Sequence, residues 1–188
     1  MHKPAPDEYP ISPYFSRYLD AVDGQNVLDL LTAQGAEVAD LFRNLTDEQQ
    51  NFRYAPGKWT PKQLLGHLTD TERIFGYRML AIARGERQSL PGFDENEYEK
   101  AANFSEQPLA ALLRQYELTR QGTLALAESF SPEAWERRGT ANGAAISVRV
   151  LAWLIAGHER HHLNVLRERY GLFLKDKQTE KQEMKSEK

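Results

Sequence analysis

His158 and His162 stand four residues apart in a stretch whose apolar residues recur at steps of three and four, and His67 stands in a second stretch of the same kind. On a helix, a separation of four places two side chains on successive turns of one face, within reach of a single ion. The stripe they share reads Val148, Leu151, Ile155, His158, His162, Val165 and Arg169, so both occupy positions that packing alone fills with Leu or Ile. His67 lies among Leu64, Leu68, Thr71 and Ile74 on a matching inward face. Burying a neutral imidazole without a partner costs roughly 1–3 kcal/mol. Three at inward positions are therefore read as ligands of one divalent transition metal rather than as separately satisfied core residues. Three nitrogens leave coordination positions open to water or substrate, as a catalytic site requires. Imidazole ligands suit zinc, nickel, copper and iron alike.

The string His158-Glu159-Arg160-His161-His162 also satisfies H-E-x-x-H, in which the Glu acts as general base of a zinc protease. The elongated protease form needs Gly at 165 and a ligand at 168, where this chain has Val165 and Glu168. Glu159 is retained as a candidate base, with surface pairing to Arg160 or Arg167 as the alternative. His161 lies about 60° around the helix from His158 and is expected to face a neighbouring helix edge or solvent. Asp70, one turn beyond His67, could orient its ring or pair with Arg73. Arg78, on the same face three turns on, could bind an anionic group or form a structural ion pair. Asp94 and Tyr98 fall in a long connection of the kind that often supplies site residues, while Trp59 is expected to pack the start of its helix. Beyond the ligands, the candidate catalytic residues are thus Glu159, Asp94 and Arg78.

The elements that must position these residues are helical. Apolar positions recur at three and four throughout, with no alternating run, which predicts an all-α fold. The spacing predicts long helices near Gln25–Leu45, Thr60–Arg84, Ser105–Phe130 and Ser147–Tyr170. Thr60 can cap, Pro61 suits the first helical position, Gln63 can close a capping box, and Gly85 can stop the second helix. The connection from Glu86 to Ser105 exceeds a turn between antiparallel neighbours and predicts a crossover between the second and third helices. Ser131-Pro132 opens a short helical turn through Trp135, Gly139–Gly143 reads as a loop, and Ser147 caps the last helix. Ile146 and Leu151 are spaced as its hydrophobic staple. The chain of 188 residues divides into a bundle domain over 1–172 and a charged tail over 173–188 that cannot repay the entropy of ordering.

Composition narrows the partners. Lys and Arg number 24 against 27 acidic residues, a formal charge of −3, without the basic excess of a nucleic-acid surface. The absence of cysteine excludes disulfides, a Cys nucleophile and thiolate zinc sites. Neither a signal peptide nor a membrane-spanning stretch is visible, so a cytoplasmic protein with no membrane partner is expected.

The run Ala55-Pro56-Gly57-Lys58-Trp59-Thr60-Pro61-Lys62-Gln63-Leu64-Leu65-Gly66-His67-Leu68-Thr69-Asp70-Thr71-Glu72, with Tyr77-Arg78, Gly85-Glu86, Phe93-Asp94-Glu95 and His158-x-x-x-His162, resembles the DinB/YfiT-like superfamily of metalloenzymes. The resemblance covers about Tyr14 to Tyr170. It implies a four-helix bundle with a long crossover between helices 2 and 3, often assembled as a homodimer. It also implies nickel, zinc or a similar ion on one His of the second helix and a His-x-x-x-His pair of the fourth, which here are His67, His158 and His162. Relatives of this kind include S-transferases using bacillithiol or related low-molecular-weight thiols, and a mycothiol-dependent maleylpyruvate isomerase. The isomerase-type site resembles His, Glu and His, whereas this chain has His at 158, which argues against that reaction.

The expected activity is therefore metal-assisted activation of a thiol cosubstrate or water against a small organic electrophile, as S-transfer or hydrolysis. The contrasting expectation is a noncatalytic metal- or ligand-binding stress protein.

Overall fold

The computed structural model describes residues 1–172, and the charged tail expected over 173–188 lies outside the described residues. The chain forms α1 (Pro13–Leu19), α2 (Val27–Arg43), α3 (Asp47–Asn51), α4 (Pro61–Ala83), α5 (Glu95–Ala102), α6 (Leu109–Glu128), α7 (Pro132–Glu136), β1 (Arg138–Ala141), β2 (Ala144–Ser147) and α8 (Val148–Tyr170). The four long helices α2, α4, α6 and α8 are the bundle, with α4 and α2 each packed against both α6 and α8. Local chemistry sets the starts of α4 and α8 as the residue types predict, whereas α6 begins at Leu109, after Pro108, and not at Ser105. At the start of α4, the Gln63 amide donates to Thr60 Oγ1 at 3.2 Å and the Thr60 amide to Gln63 Oε1 at 2.9 Å, with Pro61 at the first helical position. Ser147 Oγ accepts from the Val150 amide at 3.2 Å to open α8, and Gly171 closes it in the left-handed region, at φ 66°.

Three other elements depart from the expectation. The crossover between α4 and α6 is not a bare loop: Asp94 caps α5 by accepting from the amides of Asn96 and Glu97. Residues 138–147 form a two-stranded antiparallel hairpin rather than a loop, turning on Asn142 and Gly143 at φ 50° and 74°. Positive φ at both central residues is the type I′ turn that matches strand twist, and Asn-Gly is its commonest sequence. The edge of β1 also holds the crossover, since the Leu90 amide donates to the Thr140 carbonyl and the Asn142 amide to the Leu90 carbonyl, both at 2.9 Å. Finally, α1 lies against α8. A Cβ at Gly157 would overlap the Tyr18 carbonyl, so glycine there lets the α1 backbone rest directly on α8.

The expected inward stripe of α8 is too narrow. From Val148 to Glu159 every residue is buried, because α1, α2 and α4 surround this half of the helix, whereas Arg169 is exposed. Glu159 is correspondingly buried, at 2% exposure, and pairs with neither Arg160 nor Arg167. Both of those arginines bind Glu37 instead.

Glu159 is held by a cation that the apolar stripe of α6 concealed. Arg120, 4% exposed, donates through Nη2 to Glu159 Oε2 at 2.7 Å and to Glu72 Oε2 at 2.8 Å. Its Nε donates to Glu72 Oε1 at 2.9 Å and its Nη1 to the Leu31 carbonyl at 2.6 Å. The Tyr116 hydroxyl completes the set by donating to Glu159 Oε2 at 2.6 Å. One guanidinium thus joins α2, α4, α6 and α8. Burial still pushes the Glu159 carboxyl above its ordinary range, against the pull of Arg120.

Removing the cation alone would leave two buried carboxylates without a partner. Arg120→Met is expected to destabilise the protein by about 3–5 kcal/mol, measured by urea unfolding. Adding Glu72→Gln and Glu159→Gln should recover part of that loss. An Arg120→Met midpoint within error of wild type would show that the network does not hold the bundle together.

Candidate metal centre

His67 is delivered by the second turn of α4, and His158 and His162 by successive turns of α8. Their Nε2 atoms converge: His67 to His158 is 3.0 Å and His162 to His158 is 3.2 Å. Ring centroids lie 4.5–5.1 Å apart. His67 and His158 are buried, while His162 is half-buried. Hydrogen bonding does not account for this cluster, because His158 Nε2 has one in-plane lone pair and faces two ring nitrogens. Tetrahedral zinc with bonds of about 2.0–2.1 Å separates its nitrogens by about 3.3 Å, close to these two spacings, and all three ligand nitrogens lie within 4.8 Å of one another. The donor set fits a divalent transition ion, and its one-sided arrangement leaves coordination positions unfilled by protein.

The electrostatics keep the rings neutral, the form a metal requires. Burial lowers the His67 pKa from 6.5 to about 4. Burial also drives His158 well below the ordinary value, followed by the effect of the His162 and His67 charges, and drives His162 well down too, followed by the effect of the His67 charge.

The surroundings separate the remaining candidates. Trp59 does more than pack the helix start: its ring lies 4.8 Å from that of His67, and it lines a cavity of about 300 Å³ onto which His162 opens. Tyr54, Tyr170, Lys58, Glu95 and Asn96 belong to the same cavity. Sequence reasoning missed all five of these. The Pro-Gly loop before Trp59 and the acidic residue beside Asp94 were the available signals. His161 borders this cavity without joining the ligand group. Tyr18 of α1, also missed, sets its ring edge-on to His158 at 5.2 Å and to His161 at 5.6 Å.

The other candidates do not join the ligand group. Glu159 is taken up by Arg120 and Tyr116, which removes it as a general base for the cavity. Asp94 is spent on the α5 cap. Tyr98 is half-exposed against Phe93. Asp70 pairs with Arg73 at 3.2 Å. Arg78 lies away from the histidines, against Pro91, and forms no ion pair among the described residues.

The lowered histidine pKa values set a pH window. The unfolded chain takes up protons from pH 6.5 downward, whereas folded His67 refuses its proton until about pH 4. This stability is complete above 6.5 and is lost as pH falls toward 4, at up to about 1.4 kcal/mol per pH unit per histidine. Chelator-treated protein should therefore lose melting temperature between pH 6.5 and 5, and His67→Ala should lose less over the same interval. Identical slopes for the two would refute the assignment of neutral, buried rings.

Comparison with known proteins bears on the same arrangement. A protein of Geobacillus thermodenitrificans, provisionally named a metal-dependent hydrolase, is 30% identical over 120 residues, covering 63% of this chain and 67% of the relative. One of Geobacillus kaustophilus with the same provisional name is 27% identical over 160 residues, covering 84% and 90%. Among solved structures, YfiT of Bacillus subtilis, described as a probable metal-dependent hydrolase with an unusual four-helix bundle topology, superposes with a TM-score of 0.70 at 19% identity, over 78% of this chain and 87% of its own. A mycothiol-dependent maleylpyruvate isomerase superposes at 0.62 with 17% identity, over 78% and 60%. These two establish the shared bundle architecture. Residues 30–166 match the DinB superfamily, spanning all four bundle helices, and the chain belongs to that superfamily.

Proposed function

We propose that His67, His158 and His162 hold one divalent transition metal ion, zinc or nickel, and that the chain is a metalloenzyme acting on a small organic electrophile. The observation that supports this most directly is the convergence of three neutral imidazoles beside a cavity walled by aromatic rings. When bound, the ion supplies Lewis acidity, lowering the pKa of a coordinated water or thiol and so providing a nucleophile at neutral pH. The provisional names of the relatives favour hydrolysis.

The chain's own residues supply binding and shelter. Tyr54, Trp59 and Tyr170 offer ring faces to a flat or apolar substrate, and the Tyr170 hydroxyl donates to the Trp59 carbonyl, tying the two walls together. Lys58 and Glu95 place one charge of each sign at the cavity, suited to orienting a polar substituent. Tyr18 packs against His158 and screens that side of the cluster. The chain contains no cysteine, so a thiol nucleophile would arrive as a cosubstrate. Opening of His162 onto a cavity favours this reading over simple ion storage, which needs no such access. Action in the cytoplasm as a homodimer belongs to the same proposal.

The test uses protein purified without an affinity tag and loaded with zinc or nickel. One ion per chain is expected, with affinity lowered by more than about 100-fold in His67→Ala, beyond the cost of losing an outer partner alone. Hydrolysis of p-nitrophenyl acetate, or conjugation of a thiol to a model electrophile, should depend on the ion and vanish in the same variant. Equal metal content in wild type and a His67→Ala, His158→Ala, His162→Ala variant would remove the proposal. One ion without turnover by either nucleophile would establish the noncatalytic reading.

A further inference from the structure

A second cavity, of about 200 Å³, is bordered by Tyr14 and Phe15 of α1 and shares no lining residue with the aromatic one. Its α8 residues Leu151 and Leu154 precede His158 by seven and four positions, roughly 6–10 Å along the helix. Phe15, Phe75 and Ile146 complete apolar walls, and Tyr14 and Asn142 stand at the exposed side. Into this apolar space the chain puts one full charge, Arg78, itself 6% exposed.

Arg78 differs from the other buried arginines. Arg120 and Arg149 each bind two carboxylates, whereas among the described residues no carboxylate pairs with Arg78. Its Nη2 donates to the Pro91 carbonyl at 2.7 Å, and the rings of Phe75 and Phe93 lie 5.4 and 6.0 Å from its guanidinium carbon. A guanidinium carries five N–H donors and never deprotonates. A carbonyl and two ring faces compensate it only in part, and burial of a full charge calls for a counter-charge. Because the crossover and the β1 edge are stitched together at Leu90, this side of the cavity is a built wall and not a chance gap.

We propose that this cavity binds a small monocarboxylate with a compact ring or short aliphatic body, its carboxylate on Arg78. The planar fork of a guanidinium matches a carboxylate with two parallel N–H···O bonds. A phosphate dianion would bring a second negative charge with no cation to meet it in an apolar enclosure. The volume agrees with this class of ligand, since an apolar cavity of roughly 150 Å³ admits benzene. The site stands independently of any ion on the three histidines.

Titration of the ¹⁵N-labelled full chain with benzoate tests the proposal. Saturable shifts are expected at the hairpin amides of residues 141–146, and benzyl alcohol, the neutral analogue, should bind at least about tenfold more weakly, equivalent to about 1.4 kcal/mol. Arg78→Met, which also loses the Pro91 tie, and Ala144→Phe, which fills the cavity while keeping the charge, should each weaken benzoate by at least the same factor. His67→Ala should leave it unchanged, so failure here is distinguishable from failure of the metal assignment. Shifts at Tyr54, Trp59 and Val165 instead of the hairpin, equal binding of benzyl alcohol, or the absence of saturable shifts would overturn it.

Discussion

Everything the bundle does with its histidines depends on one shared guanidinium. Arg120 spans Glu72 and Glu159 in the bundle interior, and it reaches the backbone of α2 as well. Glu72 follows His67 by five residues on α4, and Glu159 follows His158 directly on α8. The rotation and height of the two ligand-bearing helices are therefore set against each other by hydrogen bonds of fixed direction, which apolar packing alone does not supply. Buried ion pairs of this kind add little net stability over well-packed apolar residues. Their contribution here is registry: a slip of α4 or α8 by one turn would abandon three charges to a medium that cannot solvate them.

With the helices held in register, two successive stretches along one face of α8 acquire different chemistry. One carries neutral nitrogen donors at the floor of a space bounded by tyrosine and tryptophan. The other is aliphatic and phenylalanine-lined, with a single cation at its end. The short helix α1 presents Tyr14 to the second of these and Tyr18 to the histidines, and the two tyrosine rings meet edge to face at 5.1 Å. The seating of α1 depends on Gly157, where backbone meets backbone, one residue before a candidate ligand.

Much of this was legible in the residues. Helix caps at Thr60, Ser131 and Ser147, the crossover between the second and third bundle helices, and the convergence of His67 with the His158 and His162 pair all follow from spacing and local hydrogen-bonding chemistry. The remainder was hidden for identifiable reasons. Arg120 occupies a stripe position, where a charged side chain reads as an interruption of the apolar face and not as its centre. Glu159 looked exposed because charged residues usually are, whereas the half of α8 that carries it is buried all round and not on one face alone. The hairpin was passed over although Asn142-Gly143 is a strong turn signal, since its strands are four residues long and lack a clear alternation. The helix α1 has seven residues, too few to establish a period.

The sequence separation of the histidines has a consequence for how the chain assembles. His158 and His162 meet within one helix turn, so a pairwise chelate needs only local structure, on the submicrosecond to microsecond scale of helix formation. His67 is 91 residues away from His158. Its arrival requires α4 to dock on α8, with the loop-closure entropy of most of the domain already spent. A tridentate complex would thus mark the end of folding, and the change from two nitrogen ligands to three would serve as a spectroscopic clock for tertiary assembly.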